Sequence, residues 1–258
     1  MKIHPTAVVD AGAELAEGVQ IGPYVVIKSD VVIGEDTEIM SHVFVDRYTT
    51  IGPNCRLFPF ASVGAEPQDL KFKGEKTELI IGRNVTIREG ATLHRGTGHG
   101  GGRTTVGDDC LIMNYVHVAH DCHVGHNVIL SNNATMAGHV TIQDHVTLSG
   151  LVGIHQFTRI GTHAYIGGFS RITKDVPPYI LGEGSVEFKL HGPNVIGLKR
   201  KGFTEETVNA LKDVFHIVFR NHRPLQEVLD EASAAFPESP EVKLLIDFMR
   251  SSERGVYR

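Results

Sequence analysis

Ten of the fifteen histidines fall between His94 and His163, and some recur with other polar groups at an interval of eighteen residues. His120, Gly138 and Gln156 form one such series; Asp121, His139 and Phe157 form the next. A histidine can take a proton from a hydroxyl near neutral pH. A glycine presents a backbone N–H that no side chain shields, and a preorganised N–H stabilises a developing oxyanion. A base, such an N–H and an amide held a few ångströms apart are suited to passing an acyl group from a thioester to a hydroxyl. A third series, Asn127, His145 and His163, reads either as a second polar site or as a hydrogen-bonded structural ladder.

The interval brings these residues together only if positions eighteen apart stack, and the aliphatic pattern predicts that they do. Every sixth residue is aliphatic from Ile3 through Val9, Leu15, Ile21 and onward to Val63. The series resumes at Ile81, Ile87 and Leu93, and again from Val106 to Ile172. Six is neither the period of an amphipathic helix nor that of a strand. It is the signature of an all-β solenoid, a parallel β-helix of hexapeptide repeats. Three hexads make one triangular coil, so residues eighteen apart lie one strand spacing, roughly 5 Å, above one another. Solenoids of this type wind left-handed, against the usual crossover rule. Glycine often follows the aliphatic residue, as at Gly22, Gly34, Gly52, Gly161 and Gly167, and is expected there to supply strained corner conformations. Small residues such as Ala61, Ala91 and Ala134 suit a narrow interior.

Two polar stretches, about 65–78 and 95–105, interrupt the hexads and are expected as loops ejected from the stack. The second, rich in glycine, has no Gly-Lys-Ser/Thr and is not a nucleotide-binding P-loop. The β-helix is placed at 1–190 and a C-terminal helical domain at 191–258. Thr204 is an expected N-cap, Pro224 opens a second helix and Ser239-Pro240 a third, together capping the last coil. A net charge of −5 argues against a general nucleic-acid binder. No secretory or membrane-spanning apolar run is present, and three cysteines without metal-type spacing suit a reduced, cytoplasmic protein.

Several segments carry a more specific resemblance: Gln68-Asp69-Leu70-Lys71-Phe72-Lys73-Gly74, Leu93-His94-Arg95-Gly96-Thr97, Val116-His117-Val118-Ala119-His120-Asp121-Cys122 and Ala137-Gly138-His139-Val140. With Gly153-Ile154-His155-Gln156-Phe157, Asp175-Val176-Pro177-Pro178-Tyr179 and Leu198-Lys199-Arg200-Lys201-Gly202-Phe203, they resemble the UDP-N-acetylglucosamine 3-O-acyltransferase family across essentially the whole chain. That family moves a 3-hydroxyacyl chain from acyl carrier protein to the glucosamine 3-hydroxyl, the first step of lipid A synthesis, and works in the cytoplasm as a homotrimer. No cofactor, metal, nucleic acid or membrane span is implied.

The resemblance implies His120 as general base, Asp121 as its orienting partner and the Gly138 N–H as oxyanion donor. Asp69 and Gln156 resemble residues that contact the acyl 3-hydroxyl, beside Gln68. Lys71, His94, His117, His139, His155, Asn194 and Arg200 resemble residues that hold the sugar nucleotide or complete the site. Gly168 resembles the position that measures acyl length, glycine favouring a long chain. The stretch between Pro178 and Asn194, Ile196 and Lys201 depart from the family's usual residues, which keeps transfer to a 3-amino analogue of the sugar as the alternative. Three other readings fit less well. His117, His120, His123 and His126 lack the ligand spacing of hexapeptide zinc anhydrases; the related N-acyltransferases carry a domain ahead of the hexads, which here begin at Ile3; ice-binding solenoids carry ranks of threonine.

Overall fold

The computed structural model describes residues 1–220 and 223–258. Through Ile172 the chain climbs as a left-handed parallel β-helix. Most strands are two residues long, and each pairs with one a coil above: Lys2 with Gln20, Ile3 with Ile21, Val26 with Phe44. Successive strands fall on three parallel sheets in rotation. Gln20–Ile21 lies on the first face, Val26–Ile27 on the second and Val32–Ile33 on the third. The hexad aliphatics point inward, and from Ile21 to Ile172 none is more than 4% exposed. Each such side chain contributes roughly 1.5–3 kcal/mol by leaving water. Ile3, with no coil beneath it, stays 42% exposed.

The glycines do a different job from the one expected. Gly34, Gly52, Gly107 and Gly161 are not left-handed; the left-handed corner residues come two positions later, as Asp36 (φ 54°), Asn54 (58°), Asp109 (57°) and His163 (57°). A Cβ on Gly52 would stand 2.6 Å from the Gly82 carbonyl, and one on Gly161 would stand 2.3 Å from the Pro178 nitrogen. Backbone stacked directly on backbone excludes any side chain there. The corner residues are mostly Asn, Asp, His or aromatic, and their amides bond to the neighbouring coil, as Asn127 N–H does to the Asp108 carbonyl at 2.9 Å.

Both ejected loops leave at one corner, between the second and third faces. One spans 66–77, between Ser62–Ala65 and Glu78–Ile81. The other spans 95–102, between Thr92–His94 and Arg103–Val106. Residues 103–105, expected in that loop, are strand instead, because Glu78, Leu79 and Ile80 offer them a ladder. Arg95 anchors the loop bases: its guanidinium, 5% exposed, contacts Asp46 and Glu66 at 3.3 Å and donates to the Gly64 carbonyl at 3.0 Å.

Beyond the last full coil, an antiparallel hairpin of Ile180–Glu183 and Lys189–Pro193 extends the first face. Its Phe188, buried and 4.7 Å from the Tyr257 ring, covers the end of the solenoid core. Among the described residues four helices follow: α1 (Val195–Arg200), α2 (Glu205–Phe219), α3 (Leu225–Ala235) and α4 (Pro240–Arg250). Thr204 and Ser239 cap α2 and α4 through their side chains as expected, whereas Pro224 precedes the first turn of α3 rather than entering it. The short α1 has no counterpart in the sequence reading, since six residues are too few to show a period. The C-terminal tail folds back on the last coil, where the buried Asp175 accepts from Arg159 and Ser252 and pairs with Val256. Among the described residues no helix is long and apolar enough to cross a membrane.

The Asn127–His145–His163 series runs up the corner between the third and first faces. It is a stack rather than a hydrogen-bonded ladder: the His145 and His163 rings lie 4.5 Å apart, Tyr179 continues the stack, Phe203 meets it edge-on and His145 Nδ1 has no hydrogen-bond partner among the described residues. Burial pushes the His163 imidazole down to about 4 and the Tyr179 hydroxyl up to about 12. With a folded value below the usual 6.5, His163 binds fewer protons folded than unfolded. Its contribution to stability is therefore intact above pH 6.5 and is lost as pH falls toward 4. Because the ring is only partly buried, that loss is worth about 1–2 kcal/mol. A His163→Phe variant keeps the stack and is expected to flatten the fall in Tm across that window. Superimposable Tm–pH curves for parent and variant would count against the assignment.

Candidate active site

His120 and Asp121 form the corner between strand His117–Val118 on the second face and strand His123–Val124 on the third. The loop corner thus continues directly upward into the histidine-rich coils. The His120 Nδ1 lies 2.8 Å from Asp121 Oδ2, and the Asp121 side chain is fully buried. Asp121 is held from its other side by Thr97, whose N–H donates to Oδ1 at 2.9 Å and whose hydroxyl donates to Oδ2 at 2.7 Å. Asp121 N–H in turn donates to Thr104 Oγ1 at 2.8 Å. A carboxylate only accepts hydrogen bonds, so Nδ1 carries the proton and donates to Asp121, and His120 presents Nε2 as the basic nitrogen.

The next coil supplies the second half of the site. A Cβ on Gly138 would lie 2.5 Å from His120 Cε1, so the imidazole rests against bare backbone. The Gly138 N–H donates to no protein acceptor among the described residues and is available to an oxyanion. His139 stands edge-on to His120 at 5.2 Å and stacks on Phe157 at 4.5 Å. Burial lowers its proton affinity, partly opposed by Asp121. His120, Asp121 and His139 offer ligand atoms within 4.8 Å of one another, close enough for a metal ion. Asp121, however, already accepts from Thr97 and His120, which suits a proton relay better than a ligand set.

The two loops close over this corner. Gly98 N–H donates to Glu75 at 3.0 Å, and His99 Nε2 lies 3.2 Å from Asp69 Oδ2. The Lys71 N–H holds the Asp69 carboxyl below the usual range, helped by His120 and His99. Gly100 passes so near that a Cβ would meet Asp121 Oδ2 at 2.1 Å, which accounts for glycine there. Gln68 and Lys71 are exposed on the first loop. In the coil below His120, His94 donates to the Glu66 carbonyl at 2.6 Å; in the coil of His120 itself, His117 Nδ1 meets Thr92 Oγ1 at 2.8 Å. Burial lowers both imidazoles, His117 to about 4, so near neutrality they are uncharged hydrogen-bonding groups. His155 and Gln156 lie exposed one coil above Gly138.

Three expected residues stand elsewhere. Gly168 is at the corner between the first and second faces. Asn194 and Arg200 begin and end α1 at the corner between the third and first faces. The Asn194 side chain caps α1 by accepting from Gly197 N–H and donates to the His163 carbonyl. A single chain does not bring either group to His120. The sequence reading also missed Thr97, His99 and Arg254, whose Nη2 lies 2.8 Å from His155 Nδ1. All three depend on loop or tail contacts that follow no repeat.

Thr97→Val removes one donor to Asp121 at constant volume. It is expected to lower kcat about 10–100-fold with KM little changed, because a hydrogen bond to a charged group is worth about 1.5–3 kcal/mol. Thr97→Ser is expected to restore most of the rate. Equal losses in both variants would point to a packing role instead.

Comparison with known proteins places this geometry among relatives. Residues 175–257 match the model described as Udp N-acetylglucosamine O-acyltransferase, domain 2, and residues 12–47 and 103–138 match the bacterial transferase hexapeptide repeat. A relative from Thermodesulfovibrio yellowstonii, named acyl-[acyl-carrier-protein]–UDP-N-acetylglucosamine O-acyltransferase, is 47% identical, covering 100% of this chain and 99% of its own. The solved UDP-N-acetylglucosamine acyltransferase of Francisella novicida superposes with a TM-score of 0.96 at 40% identity, over 99% of this chain and 94% of that one. A solved relative from Acinetobacter baumannii gives 0.95 at 43% identity over 99% of each chain. With identity of this extent along its whole length, and with the hexapeptide solenoid and helical domain both matched, the chain belongs to the UDP-N-acetylglucosamine O-acyltransferase family and is an acyltransferase.

Proposed function

We propose that this acyltransferase moves an (R)-3-hydroxyacyl chain from acyl carrier protein to the glucosamine 3-hydroxyl of UDP-N-acetylglucosamine, the first step of lipid A synthesis, in the cytoplasm. The observation that carries the chemistry is the buried Thr97–Asp121–His120 relay set against the unclaimed Gly138 N–H. His120 Nε2 takes the proton as the 3-hydroxyl oxygen attacks the thioester carbonyl carbon. The Gly138 N–H receives the oxyanion. Collapse breaks the carbon–sulfur bond, and the carrier thiolate recovers the proton from His120. In this reading Asp69 and Gln156 meet the acyl 3-hydroxyl. Lys71, His94, His117, His139 and His155 surround the acceptor, and nothing in the steps calls for a cofactor.

A homotrimer completes the reading. Asn194 with Arg200, and Gly168, occupy the two corners remote from His120, so a neighbouring solenoid is what would bring an anion-binding arginine and an acyl-length position to the catalytic corner. At Gly168 an added Cβ meets the Gly150 carbonyl at 3.3 Å and Ser149 Cβ at 3.9 Å, and the backbone is not left-handed, so a longer side chain is accommodated with a shift of a few tenths of an ångström. Gly168→Met is therefore expected to shift preference from 3-hydroxytetradecanoyl toward shorter donors in a chain-length series. An unchanged preference would remove the ruler role.

The overall reading is tested by incubating the protein with 3-hydroxytetradecanoyl carrier protein and either UDP-N-acetylglucosamine or its 3-amino analogue. Ester formation with the first supports it. Amide formation with the second alone moves the assignment to the amino sugar, for which the departure from the family's usual residue at Ile196 is the motive. No transfer to either acceptor overturns it.

A further inference from the structure

The C-terminal tail carries a contact that the proton relay at His120 does not use. Residues 252–257 fold back over the last coil and are fastened to it at several points. Tyr257 N–H donates to the Asp175 carbonyl at 3.1 Å, and Asp175 N–H donates to the Gly255 carbonyl at 2.9 Å. The Tyr257 hydroxyl accepts from Thr173 N–H at 2.8 Å, and Ser252 donates to the buried Asp175 carboxylate at 2.9 Å. Arg254, partly buried among these anchors, donates from Nε to the Thr173 carbonyl at 2.8 Å. Its Nη2 reaches His155 Nδ1 at 2.8 Å. No carboxylate pairs with Arg254 among the described residues, so its guanidinium is committed to a carbonyl and an imidazole.

His155 Nδ1 therefore stands between two partners that make opposite demands on it. The guanidinium can only donate, so toward Arg254 this nitrogen must offer a lone pair. The Gln156 carbonyl, 3.2 Å away, can only accept, so toward it the same nitrogen must carry a proton. One nitrogen satisfies one of the two. The contact with Arg254 is the shorter and is charge-assisted, and the tail holds the donor in place. The ring proton is then on Nε2, which has no partner among the described residues and is free to donate outward. Without Arg254 the Gln156 carbonyl draws the proton to Nδ1, and Nε2 becomes an acceptor.

We infer that Arg254 is a positioning residue that selects the Nε2–H tautomer of His155 and so makes it a donor to the sugar nucleotide. The assignment rests on the reading that sets His155 beside UDP-N-acetylglucosamine. The carbonyls and phosphates of that molecule accept and do not donate, so the other tautomer would meet them lone pair to lone pair. The loss falls on binding rather than on proton transfer, since His120 belongs to a separate hydrogen-bonded chain.

The test compares Arg254→Met, which keeps an aliphatic stem and removes the donors, with Arg254→Lys and Ser252→Ala. Heteronuclear NMR of isotope-labelled imidazoles reads the tautomer, the His155 signal being assigned by its loss in His155→Gln. The parent is expected to carry the proton on Nε2, and Arg254→Met to carry it wholly or partly on Nδ1. The KM for UDP-N-acetylglucosamine is expected to rise about five- to tenfold in Arg254→Met, with kcat and the KM for acyl carrier protein little changed. Arg254→Lys, which still donates, is expected to recover most of that loss. Ser252→Ala removes one anchor of the tail and is expected to lower Tm while leaving tautomer and KM as in the parent. A glutamine has no tautomer to select, so adding Arg254→Met to His155→Gln is expected to change nothing further. An unchanged tautomer in Arg254→Met overturns the inference. So does a rise in KM that adds undiminished to His155→Gln, or one that Ser252→Ala reproduces, since either marks a purely structural tail. A parent that shows the Arg254-dependent tautomer yet neither binds nor acylates the sugar nucleotide leaves the selection assigned and overturns the acyl-transfer reading instead.

Discussion

His120→Ala is expected to lower kcat for transfer to UDP-N-acetylglucosamine by about 10³–10⁴, with KM for both substrates changed only slightly. The expectation follows from what the side chain touches. Its Nδ1 is tied to a buried carboxylate, and its other edge faces Gly138. His139 is the nearest imidazole, but it stacks on Phe157 and stands edge-on to His120. Removing His120 leaves Asp121 bonded to Thr97, so the corner keeps its hydrogen bonds and the fold survives. The check is steady-state transfer by parent and variant alongside their thermal melts. A variant that turns over at the parental rate would displace His120 as the base.

Gly138→Ala is the second large effect, expected to cost about 10²–10³ in kcat while the protein stays folded. The backbone there is not left-handed, so alanine itself is not strained, and the N–H survives. The new methyl would stand 2.5 Å from Cε1 and 2.8 Å from Nε2 of His120, closer than such atoms ever approach. The ring must therefore turn away from the acceptor or break its bond to Asp121. Because the oxyanion donor is retained, the loss reports on the base's position alone. The double variant His120→Ala/Gly138→Ala is then expected to be no slower than His120→Ala, a non-additivity that marks two residues acting as one unit. Additive losses would mean that Gly138 acts through the oxyanion instead.

The solenoid was legible because its period is carried by side chains with one requirement, burial against the coil above. Ile27, Ile87 and Ile142 each announce the same geometry, and once the coil is eighteen residues long the meeting of His120 with Gly138 follows. The glycines were misread because sequence alone does not separate a strained dihedral from a close backbone approach; Gly52 faces the second, while Asn54 carries the first. Thr97 stayed hidden because it reaches Asp121 from within a loop, twenty-four residues earlier, where no interval repeats. Arg254 reaches His155 across ninety-nine residues for the same reason. Asn194 looked like a ligand contact by its motif, and only the three-dimensional cap on α1 revealed its other bonds.

The register of the coils also governs how such a chain can change over generations. Ser62 pairs with Thr92, twelve residues further on than one coil, and Thr92 pairs with His117, seven further on. Neither excess fits the stack, and both leave at the corner beneath His120. A duplication of one whole coil would pass unnoticed by its neighbours, whereas any other length must exit somewhere. Inheritance of length is thus quantised along the shaft and free at one corner. A tandem duplication of residues 140–157 would lift the helical cap by one strand spacing, roughly 5 Å, without touching the corner of His120. Descent by unequal crossing-over would tune the reach of the protein in steps, and descent by loop insertion would tune its chemistry.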